Sequence, residues 1–308
     1  MKFLALAVTL LLEQVRPFNE GDRLCRLLAQ YTAAIERHFN AGEYRHGLMA
    51  WLVVVVSIVA VTALVFQVLY SITALFGLIW SVAVLYVTLS FRQFNLHFTE
   101  IQQALRAGDF SSARESLEKW RGEGGGELRA GEVPRVAIEQ GLIASHRQVF
   151  GTMAWFVVFG PAGAVLYRLA AVLDDKWGRR SEGEGEAAVF GRFAAQAFYW
   201  IDWVPSRLTA ASLAVVGNFE DAAYCWRMQA HTWNPQADGI VLASGAGALG
   251  VRLGAAIHSE GGLELRPELG TGTDASVDDM QGAVGLIWKA LVLWMFVILV
   301  VTIAHALG

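Results

Sequence analysis

From Gly47 to Phe91 the chain contains no Asp, Glu, Lys or Arg, and Val, Leu, Ile, Ala and aromatic residues fill most positions. A helix in a soluble protein keeps one polar face, and this run has none. A spanning helix takes about 20 apolar residues, so the run holds two crossings, 47–66 and 71–91. A turn is expected between them at Gln67 to Ser71, where polarity briefly rises. The pair reads as a transmembrane hairpin.

Composition agrees, with 55% hydrophobic and only 17% charged residues, a balance far from that of a soluble domain. Lys2 followed by Phe3 to Leu12 has the look of a signal peptide. It runs into Glu13, Gln14 and Arg16 without a small-residue cleavage site, so it reads as a retained first segment. Gly282 to Leu307 is interrupted by Lys289 alone, near its start, where a long side chain reaches the interface. Phe150 to Leu173 carries Gly160, Pro161 and Gly163 at its centre. A helix broken at membrane depth is tolerated where protein or a water-filled cavity covers the freed backbone, so this segment is expected to be kinked or re-entrant. The reading is an all-α, polytopic integral membrane protein, a single membrane domain over 1–308. It has about four to five segments: 2–12, 47–66, 71–91, 150–173 and 282–307.

Basic residues flank the hairpin on both sides: Arg16, Arg23, Arg26, Arg37 and Arg45 before it, and Arg92, Arg106, Arg114, Lys119, Arg121, Arg129, Arg135 and Arg147 after it. By the positive-inside rule both flanks are cytoplasmic. The insert 92–149 then begins with a cytoplasmic helical hairpin. Phe94, Phe98, Ile101 and Leu105 fall at helical spacing, Gly108 stops the helix, and Ala113, Leu117 and Trp120 restart the stripe. Ser112 with Glu115 fits a capping box. Gly122 to Glu127 and Arg179 to Glu186 are linkers by composition. Region 187–280 reads as partly embedded: Leu213 to Val216 and Ile240 to Ile257 are apolar but short, or broken by Arg252. A full crossing at 150–173 puts 174–280 outside; a re-entrant segment keeps it in the cytoplasm.

Few chemical signatures are present. Cys25 and Cys225 are isolated, the seven histidines are scattered, and neither HExxH nor a GxxxxGK[ST] loop occurs. A net charge of −4 argues against nucleic acid, whose phosphates need a basic face. Gly245, Gly247 and Gly250 match GxGxxG after a strand-like Ile240 to Ala243, but no βαβ unit surrounds them and the dinucleotide reading is rejected. Gly250 and Gly254 instead make a GxxxG face for close helix packing. Asp202, Arg207 and Arg252 lie in apolar contexts, where an ionisable residue has a partner or a task. Asp202 and Arg207 flank Pro205 and are placed to pair across the bend or to frame a polar ligand.

The motifs GPAGAVLYRLAAVLD (Gly160 to Asp174), DWVPSRL (Asp202 to Leu208), GALGVRLG (Gly247 to Gly254) and RPELG (Arg266 to Gly270), followed by a membrane helix, stand in an order that resembles the adenosylcobinamide-phosphate synthase family, CobD/CbiB. The resemblance covers the chain from Phe94 to its end and includes the helical pair at Ala104 to Leu117. It implies a multi-pass protein of the bacterial inner membrane. Such a protein uses ATP and magnesium to join adenosylcobyric acid to an aminopropanol phosphate through an amide. On this chain it implies Arg168, Asp202, Arg207, Asn234, Gly250 and Arg252 as ligand-binding residues, with Glu139, Asp174 and Asp202 as the acids available for metal binding or catalysis. Expected partners are membrane lipid, a corrinoid and a membrane or cytoplasmic protein.

The chain also departs from that pattern. After Glu139 it reads Ile143, Ala144, Ser145, His146 and Arg147 where the family carries an acidic run, and Phe198 and Tyr199 stand for an aspartate pair. The family's early Gly-Asp-Pro and His-Pro-Val signature is missing around Glu13 to Arg26. In these losses the chain resembles the beta-lactamase regulation protein AmpE, which implies the alternative of a non-enzymatic membrane sensor or accessory protein.

Overall fold

A computed structural model describes residues 1–15, 30–32, 35, 43–89, 91–121, 128–178, 186–259 and 262–307. The linker positions 122–127 and 179–185, and Arg16, Arg23, Arg26 and Arg37, lie outside these residues. The chain folds as two compact units: 1–90, 147–205 and 302–308 form the first, and 91–146 and 206–301 the second. Helices dominate both.

In the first unit the acid- and base-free run forms one long helix, Tyr44–Ile72, and a shorter one, Ala74–Thr88. The break between them falls at Thr73 rather than at Gln67 to Ser71. Thr73 is extended, and its hydroxyl caps the second helix by accepting the Phe76 N–H at 3.3 Å. A lone Gln and Ser do not stop a helix, whereas a capping hydroxyl satisfies a new helix start. Tyr44–Ile72 packs on Pro161–Leu173, and Lys2–Val15 packs on Ala74–Thr88. Their core holds Trp51, Val54, Tyr167, Leu173, Trp177, Phe190 and Phe198.

Only 17% of the most apolar window of Tyr44–Ile72 is buried, and Leu52, Val56, Val61 and Leu64 all face outward. A core helix of a soluble protein would be mostly covered; an outward apolar face of this kind suits lipid. Val277–Ala304 is the second helix among the described residues that is long and apolar enough to cross a membrane. The 150–173 segment is broken as expected: Gly151–Phe159 ends at Gly160, whose φ is +66°, and Pro161 starts the next helix. It is preceded by a π-helical turn at His146–Phe150 and followed by another at Asp174–Gly178.

The second unit opens with the expected helical hairpin, Phe91–Arg106 and Phe110–Arg121. Phe98, Ile101, Leu105, Ala113 and Leu117 are buried. The cap is Asp109, one turn earlier than the Ser112 and Glu115 box. Its carboxylate accepts the Ser112 N–H and the hydroxyls of Ser111 and Ser112, and these bonds hold its pKa at about 2. An ionised carboxylate accepts several donors at once, and each bond is charge-assisted, so Asp109 takes the helix start.

Gln236–Leu249 is a helix through Ile240 to Ala243, not a strand. Every residue from Asp238 to Ala248 is buried, which overrides the weak helix propensity of its glycines. A Cβ on Gly247 would collide with the Asp221 backbone, so the glycine lets Phe219–Gln229 lie close. The GxxxG expectation is therefore displaced. Leu249 ends the helix, Gly250 is its left-handed cap, and Gly254 lies in a strand.

That strand adds a small β region to an otherwise helical protein. β1 (Val251–Gly254) pairs antiparallel with β4 (Glu268–Leu269) and parallel with β5 (Thr273–Asp274). A separate hairpin joins β2 (Ile257–Ser259) to β3 (Gly262–Glu264).

Candidate functional site

In the second unit, one face of the Glu132–Ser145 helix carries Glu132, Arg135 and Glu139, spaced to point the same way. Each holds a successive piece of the chain leaving β1. Glu139 accepts the Gly254 N–H at 2.8 Å. Arg135 donates to the Ala256 carbonyl at 2.8 Å. Glu132 accepts from the His258 backbone at 3.3 Å and bonds its ring Nδ1 at 2.8 Å. Burial pushes the Glu132 carboxyl up, but bonds from the Arg129 and His258 N–H groups and the His258 ring outweigh it, and its pKa lies below the ordinary value.

Glu139 is the centre of this clasp. Arg266 Nη1 donates to its second oxygen at 2.8 Å, and the two side chains are only 12% and 5% exposed. The remaining Arg266 donors reach the carbonyls of Ala255 at 3.2 Å and Gly254 at 3.4 Å, and its guanidinium lies 5.4 Å from the Trp233 ring centre. Gly254 takes a φ of +71°, and a Cβ there would strike the Pro267 carbonyl. The residue therefore has to be glycine. Two motifs distant in sequence, GALGVRLG and RPELG, are thus tied to Glu139 in one buried knot. Gln229 adds a second tie, accepting the Gly270 N–H at 2.6 Å and donating to its carbonyl at 3.2 Å.

On the outer side of β1, Arg252 is half exposed and pairs with Asp274 at 3.0 Å. Gly250 opens the strand that carries it. Asn234 is exposed beside Trp233, and Arg207 is half-buried in the same unit. A guanidinium held on a short strand, with an exposed carboxylate as its visible partner, can receive a phosphate or carboxylate bidentately.

The first unit carries Asp174, Asp202 and Arg168. Both π-helical turns contribute to one ion cluster: Arg147 reaches Asp175 at 3.0 Å and Asp174 at 3.6 Å and lies 5.2 Å from the Phe198 ring centre. Asp202 is fully buried and accepts the Tyr167 hydroxyl at 2.8 Å. The helix Glu186–Val216 runs on through Pro205, so Asp202 and Arg207 lie on one continuous helix. Arg168 is half-buried on Pro161–Leu173.

Glu139 lies in the second unit, and Asp174 and Asp202 lie in the first. Among the described residues no group of three or more His, Cys, Asp or Glu is arranged to hold a metal. Arg266, Tyr167, Asp175 and Gln229 are the residues that sequence reasoning passed over. Arg266 and Tyr167 sit inside the quoted motifs, and a charge or hydroxyl within an apolar motif was the available signal.

The family model described as CobD/Cbib protein matches residues 4–287. The cobalamin biosynthesis protein CobD of Stutzerimonas stutzeri is 33% identical over 303 residues, covering 96% of this chain and 97% of its own. The protein of the same name from Chromobacterium violaceum is 37% identical over 220 residues, 71% of this chain and 70% of its own. That of Mycobacterium tuberculosis is 29% identical over 192 residues, 61% and 60%. These relatives carry the cobalamin name, which does not favour the AmpE-like alternative. No solved structure matches.

Proposed function

Because this chain belongs to the CobD/CbiB family, we propose that it serves cobalamin biosynthesis by joining adenosylcobyric acid to an aminopropanol phosphate. In that reaction a carboxyl oxygen of the corrinoid leaves with the terminal phosphoryl group of ATP, and the amine nitrogen takes its place. The products are the amide, ADP and phosphate. The observation that carries the reading is the buried knot of Glu139, Gly254 and Arg266, which fixes the strand presenting Arg252. Arg252 binds the phosphate or carboxylate of a substrate in place of Asp274, with Asn234 and Arg207 as further polar contacts and Gly250 allowing close approach.

The acids fit magnesium in one form only. Magnesium that arrives with a nucleotide keeps several waters and takes one or two carboxylates, and Asp174 and Asp175 are the adjacent pair that would hold it. It would neutralise phosphate charge there. Arg147 keeps the two carboxylates near one another and supplies a positive charge beside them. Asp202, fully buried and bonded to Tyr167, is a further acid of the same unit.

For the membrane, the reading is a multi-pass protein of the bacterial inner membrane with cytoplasmic flanks at Arg45 and at Arg92 to Arg147. The outward apolar faces of Tyr44–Ile72 and Val277–Ala304 support it.

The test is to incubate purified protein with adenosylcobyric acid, aminopropanol phosphate and MgATP and follow the corrinoid by mass spectrometry. The amide is expected, and at substrate levels below saturation it should form roughly ten-fold or more slowly in Arg252→Ala. No product, beside an active CobD control, would overturn ligase activity, and absence of corrinoid binding by visible absorption would overturn the ligand as well.

A further inference from the structure

The first unit holds a cavity of about 350 Å³ that none of the proposed chemistry uses. Its walls are apolar, formed by Phe66, Tyr70, Leu78, Phe156 and Phe159, and Lys2 stands at the same cavity. The broken segment builds one side: Phe156 and Phe159 close the helix that ends at Gly160. The surface around the opening is apolar too, with Val158 61% and Phe159 60% exposed.

Lys2 is the unusual member. Its ammonium donates to the Val157 carbonyl at 2.6 Å, an acceptor that the helix leaves without a donor because the residue four positions on is Pro161, which has no N–H. Among the described residues no carboxylate lies within ion-pair distance of it. An ammonium fixed by one bond beside an apolar cavity, with two further N–H donors, calls for an amphiphile with an anionic head and a hydrocarbon tail.

We propose that this cavity is a binding site for an anionic phospholipid, with an acyl chain among Phe66, Leu78 and Phe156 and its phosphate on Lys2. The occupant is a lipid rather than a soluble anion because the walls bury hydrocarbon and the opening lies among outward-facing apolar side chains. A snorkelling lysine alone would explain the ammonium but not the cavity beside it.

Native mass spectrometry of the purified protein, titrated with phosphatidylglycerol or with phosphatidylcholine, tests the site. One lysine near a membrane surface favours anionic lipid by about five-fold, so a saturable adduct with that preference is expected, weakening in high salt. Lys2→Gln should remove the preference while keeping an adduct, and Leu78→Trp, which fills the cavity, should remove the adduct. Equal adducts with both lipids in the unaltered protein, at low and high salt, would overturn the anionic assignment without needing either variant. An adduct unchanged in a folded Leu78→Trp protein would overturn the cavity as the site.

Discussion

Replacing Glu139 with Gln isolates the charge in the buried knot. Gln keeps the size of the side chain and can still accept the Gly254 N–H through its carbonyl, so the 2.8 Å bond to β1 survives. What disappears is the negative charge facing Arg266, whose side chain is only 12% exposed. Breaking a buried pair by removing one partner costs about 3–5 kcal/mol. Arg266 keeps the carbonyls of Ala255 and Gly254 as acceptors, which places the expected loss near the lower end, about 3 kcal/mol. For a unit of this size each kcal/mol moves the melting midpoint by roughly 2–4 °C, so a fall of roughly 6–12 °C is expected. Tryptophan fluorescence during thermal unfolding in detergent micelles reads it. The decisive construction is the double variant Glu139→Gln with Arg266→Met. Met covers Trp233 without carrying a charge, and a buried pair replaced by neutral groups is often nearly as stable as the original. The double variant should recover at least half of the loss. If the two single effects simply add, with coupling below about 0.5 kcal/mol, the pair does not hold the knot and the reasoning fails.

Four further outcomes follow from the same geometry. Gly254→Ala should unfold at a lower temperature than Gly250→Ala: both positions have positive φ, costing about 1–2 kcal/mol, but only at Gly254 would the new Cβ also strike backbone, while Gly250 faces open space. Because the Glu132 carboxyl titrates below its ordinary value, it stabilises the fold above the unfolded carboxyl's pKa, and this contribution is lost as pH falls through the folded one. An acid unfolding titration of Glu132→Gln should therefore be flatter than that of the unaltered protein at its acid limb. Tyr167→Phe removes the hydroxyl bonded to buried Asp202 and should cost about 1–3 kcal/mol; an unchanged melting midpoint would mean that the bond contributes nothing. Arg252→Ala should weaken adenosylcobyric acid binding by roughly ten-fold or more, the size of one charge-assisted bond, with a melting midpoint close to the parent's because Arg252 and Asp274 are half and largely exposed. Absorbance titration of the corrinoid measures it.

Sequence alone determined what depends on composition and local order. The absence of charge from Gly47 to Phe91 required apolar surroundings, and the helical stripe of Phe98, Ile101, Leu105, Ala113 and Leu117 specified the hairpin that Gly108 divides. Gly160 and Pro161 marked the helix break, and the order of the four motifs marked the family. Each of these signals is read along the chain itself, so no folded partner is needed to read it. The tertiary structure decided the rest. Ile240 to Ala243 has the look of a strand, yet it lies inside the buried Gln236–Leu249 helix, packed closely on Phe219–Gln229, and such tertiary contacts override local propensity. Gly250 and Gly254 share a helical spacing, yet the helix ends at Leu249 because β1 finds its partners in β4 and β5, which lie further along the chain. Glu139 and Arg266 stand far apart in the chain, and nothing local says that they meet. Their pairing exists because the chain leaving β1 folds back onto the Glu132–Ser145 helix, where a buried carboxylate needs a cation and a buried N–H needs an acceptor.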